Sequence, residues 1–409
     1  MATGSMEAAL MSDPTIKLPD DLLVEVISRV PYKSTCCCKC VSTRWRDLIT
    51  HPDHREKLPQ STLTGFFYKT YGMGRDPRCP HVYQSVSGSW CPLDASLSFL
   101  PECKELDILD CCNGLLLCRR RTAPKALDDP GTLEYVVCNP ATEKWVSVPA
   151  TEYSLFVNDA RLGFDPSVSS HFHVFELVTA VALNLNNKYD YCIEEVGIYS
   201  SKAGGWTHQI VWDNPIEILC LSGGAFFNGV LYLRSDSDTV AAIDVQGNYR
   251  IIPIPTSPDA RGVPNVYVSR GQLYLTDHGS SELSIWVLED SISENCWTLK
   301  LKVSYMQLVG VEYSSAGEHY GVISAHPEDN VMFITVESAS RIFPQMKLFS
   351  YEMDSREPRF ICDLGRNSSG LKARFLQMQV LTDELPASFM GTGVADLSTQ
   401  KLLIVCSIP

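Results

Sequence analysis

Long hydrophobic runs and an excess of positive charge are both missing from this sequence. No apolar stretch approaches the roughly 20 residues of a membrane-spanning helix, and residues 1–17 lack the basic and apolar segments of a secretory signal. We therefore predict no membrane partner and a location in the cytoplasm and/or the nucleus, where the 16 cysteines stay free thiols. The formal net charge of −14 also argues against nucleic acid as a partner, because displacing phosphate counterions requires basic surface.

The motifs of catalysis and cofactor binding are missing as well. The sequence contains no G-x-S-x-G, no H-E-x-x-H and no P-loop. The cysteines of CCCKC (36–40) lack the two separated pairs that bind structural zinc. His171 and His173 alternate along a predicted strand without a third ligand nearby in sequence, so we interpret them as exposed strand histidines. We predict no catalytic residue, no cofactor, no metal and no enzymatic activity.

Charge and apolar spacing both change along the chain. Residues 16–60 hold eight Lys or Arg against six Asp or Glu, whereas the rest of the chain is acidic. The apolar period changes from about 3.6 residues to about 2 near residue 61. We therefore predict a flexible N-terminus over 1–15, a helical domain over 16–58 and a second domain over 62–409.

The first domain has the spacing of three short helices. Pro31 ends the first helix, a second is predicted from Ser34 to Cys40, and a third carries Trp45, Leu48 and Ile49. A segment this short is near the lower limit of what one core can stabilise, so a partner is expected on physical grounds. The first helix has an apolar stripe formed by Leu22, Leu23, Val26, Ile27 and Val30.

Strand-like runs fill the second domain and carry a loose repeat of about 40–50 residues. In each repeat a glycine precedes an apolar strand and an aromatic residue follows near the last strand. This pattern predicts a large all-β domain after the small all-α one, and we predict a β-propeller of six blades, with seven as the alternative. A β-sandwich array would also give many short strands. We expect residues 62–100 and 372–407 to share one final unit. The repeat residues are Gly114 with Trp145, Gly163 with Trp206, Gly229 with Tyr249, and Gly271 with Trp297.

Residues 18–52 resemble the F-box, the helical module that binds the Skp-type adaptor of SCF cullin-RING ubiquitin ligases. The resemblance lies in the order LPDDLLVEVISRVP, CVS and WRDLI. Thr35, Cys36 and Cys38 depart from it, because the family usually has larger apolar residues there. The later succession GFFYK (65–69), LDCCNGLLLCR (109–119) and LGFDP (162–166) is similar to plant F-box proteins with a C-terminal, kelch-like β-propeller.

The resemblance implies a substrate-recognition subunit that joins a protein target to the Skp-type adaptor and, through it, to a cullin scaffold. It does not name the target or the target-binding residues. A propeller lectin or enzyme, and an F-box scaffold acting outside the ligase, are the alternatives. Some of the implied adaptor-binding residues must instead form the core of the module, and the sequence does not separate the two sets. The implied residues are Leu18, Pro19, Leu22, Leu23, Val26, Ile27, Pro31, Val41, Trp45, Leu48 and Ile49.

Overall fold

The structure is a computed structural model in which the chain divides into two compact units, Met1–Thr62 and Leu63–Pro409. We refer to them as the N-terminal unit and the propeller unit. The structure describes residues 18–30, 35, 38, 41–54, 57–58, 63–69, 81–86, 96–100, 105–121, 133–152, 154, 157, 159–166, 168–183, 189–217, 224–235, 238–255, 265–291, 294–309, 319–327, 329–337, 345–366 and 375–379.

Two helices and one 3-10 turn are described in the N-terminal unit. Helix α1 spans Asp20–Ser28, helix α2 spans Thr43–Thr50, and the 3-10 turn spans Pro52–His54. Of the predicted second helix, Thr35 and Cys38 are helical, and the rest lies outside the described residues. The first and third predicted helices are thus confirmed.

The ends of these helices follow from local chemistry. Pro19 is the N-cap of α1 rather than part of its first turn, and its carbonyl accepts a hydrogen bond from the Leu23 N–H. Asp20 and Asp21 place negative charge at the positive end of the helix dipole. The Ser42 side chain caps α2 by accepting a hydrogen bond from the Trp45 N–H at 3.2 Å.

The propeller unit contains five successive sheets of four antiparallel strands, which we call blades 1–5. Blade 1 is β3 (Glu105–Cys112), β4 (Leu115–Arg121), β5 (Leu133–Asn139) and β6 (Lys144–Pro149). Blade 2 is β7 (Asp159–Phe164), β8 (Phe172–Leu183), β9 (Tyr189–Ser200) and β10 (Gly205–Glu217). Blade 3 is β11 (Gly224–Phe227), β12 (Val230–Arg234), β13 (Thr239–Asp244) and β14 (Tyr249–Pro253). Blade 4 is β15 (Asn265–Ser269), β16 (Gln272–His278), β17 (Glu282–Ser291) and β18 (Glu294–Ser304), followed by the short helix α3 (Tyr305–Val309). Blade 5 is β19 (His319–Ala325), β20 (Val331–Glu337), β21 (Gln345–Glu352) and β22 (Glu357–Arg366).

Strands from both ends of the propeller unit share one further sheet, as predicted. This closing sheet has three strands in the order β2 (His81–Ser85), β1 (Leu63–Lys69) and β23 (Phe375–Gln379). It packs against blade 5, where the Phe66 and Phe333 rings lie 5.1 Å apart, and β23 contacts β3 of blade 1. The two ends of the propeller unit therefore meet between the last and the first blade.

The predicted number of six or seven blades is wrong, because the described residues form five four-stranded blades. The prediction was based on a loose repeat of about 40–50 residues. Blade 2 uses more chain than that, since β8, β9 and β10 contain 12, 12 and 13 residues. Among the described residues, the ends of the unit contribute the three-stranded closing sheet.

Three of the four repeat glycines occupy the same turn, and Gly163 does not. Gly114, Gly229 and Gly271 lie between the first and second strands of blades 1, 3 and 4, each at positive φ after a residue that is also at positive φ. These are the conformations of a tight type I′ hairpin turn. Gly163 instead lies inside β7. The aromatic part of the repeat is confirmed, because Trp145, Trp206, Tyr249 and Trp297 all lie in the fourth strand of a blade.

The hydrophobic core lies between neighbouring blades. Tyr135 of blade 1 and Phe172 of blade 2 belong to one buried cluster, and Leu231 of blade 3 is packed with Phe175 of blade 2 in the next. Blades 2–5 each contribute residues to two different clusters, as expected where sheets alternate buried residues on both sides. Trp206 packs against the cluster between blades 1 and 2, and Trp297 packs against a further cluster between blades 3 and 4.

Gly163 is required by close packing between blades 2 and 3. A Cβ atom at this position would lie 2.6 Å from Phe226 and 2.9 Å from Phe175, whose rings are both part of the core there. We expect Gly163→Ala to lower the free energy of unfolding by about 1–3 kcal/mol, the usual cost of overpacking. Gly205→Ala is the matched control, because no atom lies within 4 Å of its Cβ position. Equal denaturant midpoints for the two variants would contradict the packing account.

Candidate functional site

An exposed apolar stripe runs along α1 of the N-terminal unit. Leu18, Leu22 and Val26 follow one another at intervals of four residues, and their exposed fractions are 37%, 53% and 52%. Pro19 beside them is also exposed, and Val41, just before α2, is 59% exposed. Apolar side chains are usually buried in a monomer, so a row of them on one small unit marks a surface for a partner.

The other predicted adaptor-binding residues have different places. Leu23, Ile27, Leu48 and Ile49 are buried with Val24 and Leu58 in the core of the unit. Trp45 is half-buried against that core. Pro31 lies outside the described residues. The structure thus divides the predicted residues into an exposed set and a buried core set, a division that depends on where α2 packs on α1.

The guanidinium of Arg44 fixes the start of α1 beside the start of α2. It donates hydrogen bonds to the Leu18 carbonyl and to Asp20 Oδ1, the latter at 2.6 Å. Since Ser42 caps α2 one turn away, the segment holding Leu18 and Pro19 is tied to the same end of the unit as Val41. A fixed backbone at this end lowers the entropic cost of presenting the exposed stripe to a partner.

The sequence departures at Thr35 and Cys38 are accommodated within the unit. Thr35 is buried, and its hydroxyl donates a hydrogen bond to the Val30 carbonyl at 3.2 Å. Cys38 is a partly buried thiol, outside any disulfide, that packs against the core. Smaller side chains therefore still contribute to this core.

Taken over all five blades, the two ends of the blades differ in the average length of their connections. The connections between first and second strands, and between third and fourth strands, are short: 113–114, 165–171, 228–229, 270–271, 326–330, 140–143, 201–204, 245–248, 292–293 and 353–356. At the opposite end, which we call the long-connection face, the chain passes from second to third strands and from one blade to the next. Those connections are 122–132, 184–188, 235–238, 279–281, 338–344, 150–158, 218–223, 254–264 and 305–318. Loops of this length on a rigid scaffold are the usual place for a binding surface.

Charged pairs lie where strands reach the long-connection face. Arg161 Nη2 is 2.7 Å from Asp159 Oδ2 in β7, and Arg234 Nη2 is 3.1 Å from Asp238 Oδ1 at the end of β12. The side chains of both arginines are at most 5% exposed, so each guanidinium is held inside the fold by its carboxylate.

The sequence interpretation missed these buried arginines, although one signal was present. Arg119 and Arg234 are each the fifth residue after the glycine of an Asn-Gly turn, and both lie at or near the end of a second strand. Arg119 donates a hydrogen bond to the Val157 carbonyl at 2.8 Å. Its neighbour Arg120 is also buried, pairs with Glu134 and lies 5.6 Å from the centre of the Trp145 ring. The fifth residue after the glycine of an Asn-Gly turn is thus an arginine that makes contacts within the fold.

The histidine and cysteine patterns form no site of their own in the part of the chain that is described. His171 and His173 are half-buried rather than exposed, so that interpretation is wrong; burial, and then the charge of His171, lower the pKa of His173. Burial raises the pKa of the Cys112 thiol, and every described cysteine is free. No three metal-ligating side chains come together among the described residues. None of the described helices has the length and hydrophobicity to span a bilayer.

Comparison with known proteins places both units. The F-box domain model matches residues 16–57, and the model described as F-box protein At3g26010-like, beta-propeller, matches residues 91–332. A helical F-box followed by a propeller defines the class of F-box proteins with an associated β-propeller. The chain belongs to the F-box protein At3g26010-like, beta-propeller family, whose model covers more than half of its length.

Curated relatives of the same class come from Arabidopsis thaliana. F-box protein At5g07610 is 26% identical over 320 residues, which cover 72% of this chain and 74% of the relative. F-box protein At1g53790 is 23% identical over 307 residues, covering 69% of this chain and 63% of the relative. The predicted resemblance to plant F-box proteins with a C-terminal propeller is confirmed.

Proposed function

We propose that this chain is the substrate-recognition subunit of an SCF-type cullin-RING ubiquitin ligase. The observation that carries the proposal is the exposed stripe of Leu18, Leu22 and Val26 on a unit that matches the F-box family. With Pro19 and Val41, these side chains form the proposed contact with the Skp-type adaptor. The core residues Leu23, Ile27, Leu48 and Ile49 support that surface without being part of it.

The proposed role is positioning rather than bond chemistry by this chain. The F-box unit, residues 16–58, attaches to the adaptor and thereby to a cullin scaffold, while the propeller, residues 62–409, holds a protein target. Binding both at once raises the effective concentration of the target beside the ubiquitin-conjugating enzyme. We place the target on the long-connection face, because that face has the longer connections. The subunit acts in the cytoplasm or the nucleus.

The first test measures adaptor binding by calorimetry with purified, full-length protein. We expect Leu22→Asp/Val26→Asp to weaken adaptor binding by at least about 100-fold, since truncating a hot-spot residue typically costs about 2 kcal/mol or more. Both side chains are exposed, so the variant should unfold at the wild-type temperature. The matched control is Val168→Asp/Val211→Asp, which adds the same charges at propeller valines that are 69% and 70% exposed.

The control should bind the adaptor as the wild type does. Folded wild-type protein that captures no adaptor would disprove the proposed function. A second measurement asks whether a cullin scaffold joins the complex when the adaptor is present. Adaptor binding without cullin recruitment would favour a scaffold acting outside the ligase.

A further inference from the structure

A buried carboxylate beneath the connection between blades 1 and 2 has no place in the adaptor contact. Glu176 lies in the middle of β8 and is 1% exposed. Its two oxygens accept hydrogen bonds from the Thr151 hydroxyl, at 2.7 Å, and from the Ser154 hydroxyl. Both hydroxyls belong to the connection 150–158 on the long-connection face. The carboxylate therefore binds the underside of a single connection.

The two donors are themselves joined in a closed turn. The Thr151 N–H donates to Ser154 Oγ at 2.8 Å, and the Ser154 N–H donates to the Thr151 carbonyl at 3.3 Å. Ser154 is fully buried. Because the turn closes on itself, the two hydroxyls are presented together to one carboxylate, and each of them holds the turn to β8 by its own hydrogen bond.

The same connection is also held at both of its ends. Trp206 Nε1 of β10 donates a hydrogen bond to the Pro149 carbonyl at 2.9 Å, and Arg119 Nη1 donates to the Val157 carbonyl at 2.8 Å. Val157 itself is 1% exposed and belongs to the core between blades 1 and 2. Contacts from three different strands, β4, β8 and β10, thus hold one connection along its length.

Burial, followed by the negative charge of Glu176, raises the pKa of the neighbouring Tyr135 hydroxyl well above its ordinary value. Burying a carboxylate costs free energy unless hydrogen bonds compensate for the lost water. An apolar residue at this place would avoid that cost but would leave the Thr151 and Ser154 hydroxyls without their acceptor.

We propose that Glu176 is a conformational latch that fastens Thr151 and Ser154 of the connection 150–158 to β8 on the long-connection face. An isolated connection of this length would sample many arrangements, and the latch selects one before any partner arrives. In the proposed receptor, a fixed connection on this face lowers the entropic cost of target capture. The latch itself does not require the ligase function, and its test uses neither adaptor nor target.

Hydrogen exchange followed by mass spectrometry tests the latch in the full-length protein. The variants are Glu176→Gln, which keeps the shape of the side chain but replaces one acceptor by a donor, and Ser154→Ala, which removes one hydroxyl. We expect amides in residues 150–157 to exchange at least about tenfold faster in both variants, while those of β7 and β9 keep their protection. The matched control is Glu152→Gln, an exposed residue of the same connection, which should exchange as the wild type does.

Two results would overturn the latch. One is unchanged exchange of residues 150–157 in both variants, which would mean that Trp206 and Arg119 suffice to hold the connection. The other is equal acceleration across β7, β8 and β9, which would mean that Glu176 stabilises blade 2 as a whole. If Glu176→Gln fails to fold, Ser154→Ala alone decides between these results, since it leaves the carboxylate paired with Thr151.

Discussion

Replacing Leu376 and Gln377 together by proline should open the ring of the propeller unit. Both residues lie in β23, opposite Phe67 and Phe66 of β1. Backbone N–H groups of consecutive strand residues point to opposite sides, so one of the two prolines must remove a hydrogen bond to β1. β1 and β23 come from the two ends of the unit, and they are the strands whose pairing joins those ends.

We expect this double variant to lose about 3–4 kcal/mol of stability, equivalent to roughly 5 °C in melting temperature for a unit of this size. The buried Phe66 and Phe67 of β1 would become accessible, so binding of a hydrophobic dye should rise as well. Calorimetry and dye fluorescence measure the two effects. Leu376→Ala/Gln377→Ala is the control, because it keeps both N–H groups and hence the strand pairing. If the alanine pair melts at the same temperature as the proline pair, backbone closure is not the cause.

Ile27→Asp should unfold the N-terminal unit while leaving the propeller intact. Ile27 is completely buried in a core formed with Leu23, Val24, Leu48, Ile49 and Leu58. An unpaired carboxylate there would cost several kcal/mol, whereas a core of this size rarely supplies more than about 3–5 kcal/mol. The neighbouring Val26→Asp should stay folded, because its side chain is 52% exposed.

Circular dichroism and limited proteolysis separate the two variants. For Ile27→Asp we expect loss of helical signal, rapid cleavage within residues 18–58 and a propeller that melts at the wild-type temperature. Val26→Asp should resist cleavage and still bind the adaptor more weakly than the wild type. Resistance of Ile27→Asp to proteolysis would show that the assignment of core and contact residues on α1 is wrong.

Local patterns were sufficient to predict the elements of this protein. The 3.6-residue spacing of Leu22, Val26 and their neighbours predicted α1, and the alternating runs predicted a strand-rich second domain, because side-chain periodicity reports which face is buried. The paired positions of Asn-Gly turns and fourth-strand aromatics predicted repeated blades. Gly163 was wrongly assigned to the repeat as a turn glycine, because a glycine needed for close packing and a glycine needed for a turn look the same in sequence.

Long-range packing decided the rest. Val26 and Ile27 are neighbours on α1, yet the side chain of Val26 is half exposed and that of Ile27 is fully buried. This difference depends on where α2 packs. The number of blades depended on the long strands of blade 2 and on the pairing of β1 with β23. The latch brings Thr151 and Ser154 to Glu176 across two blades. The sequence by itself determined the helical F-box and the strand-rich domain after it, because local spacing encodes such elements. Tertiary structure alone decided which side chains of α1 are exposed, how many blades the described residues form and where the carboxylate of Glu176 is buried, because these arise from residues that are distant in the chain.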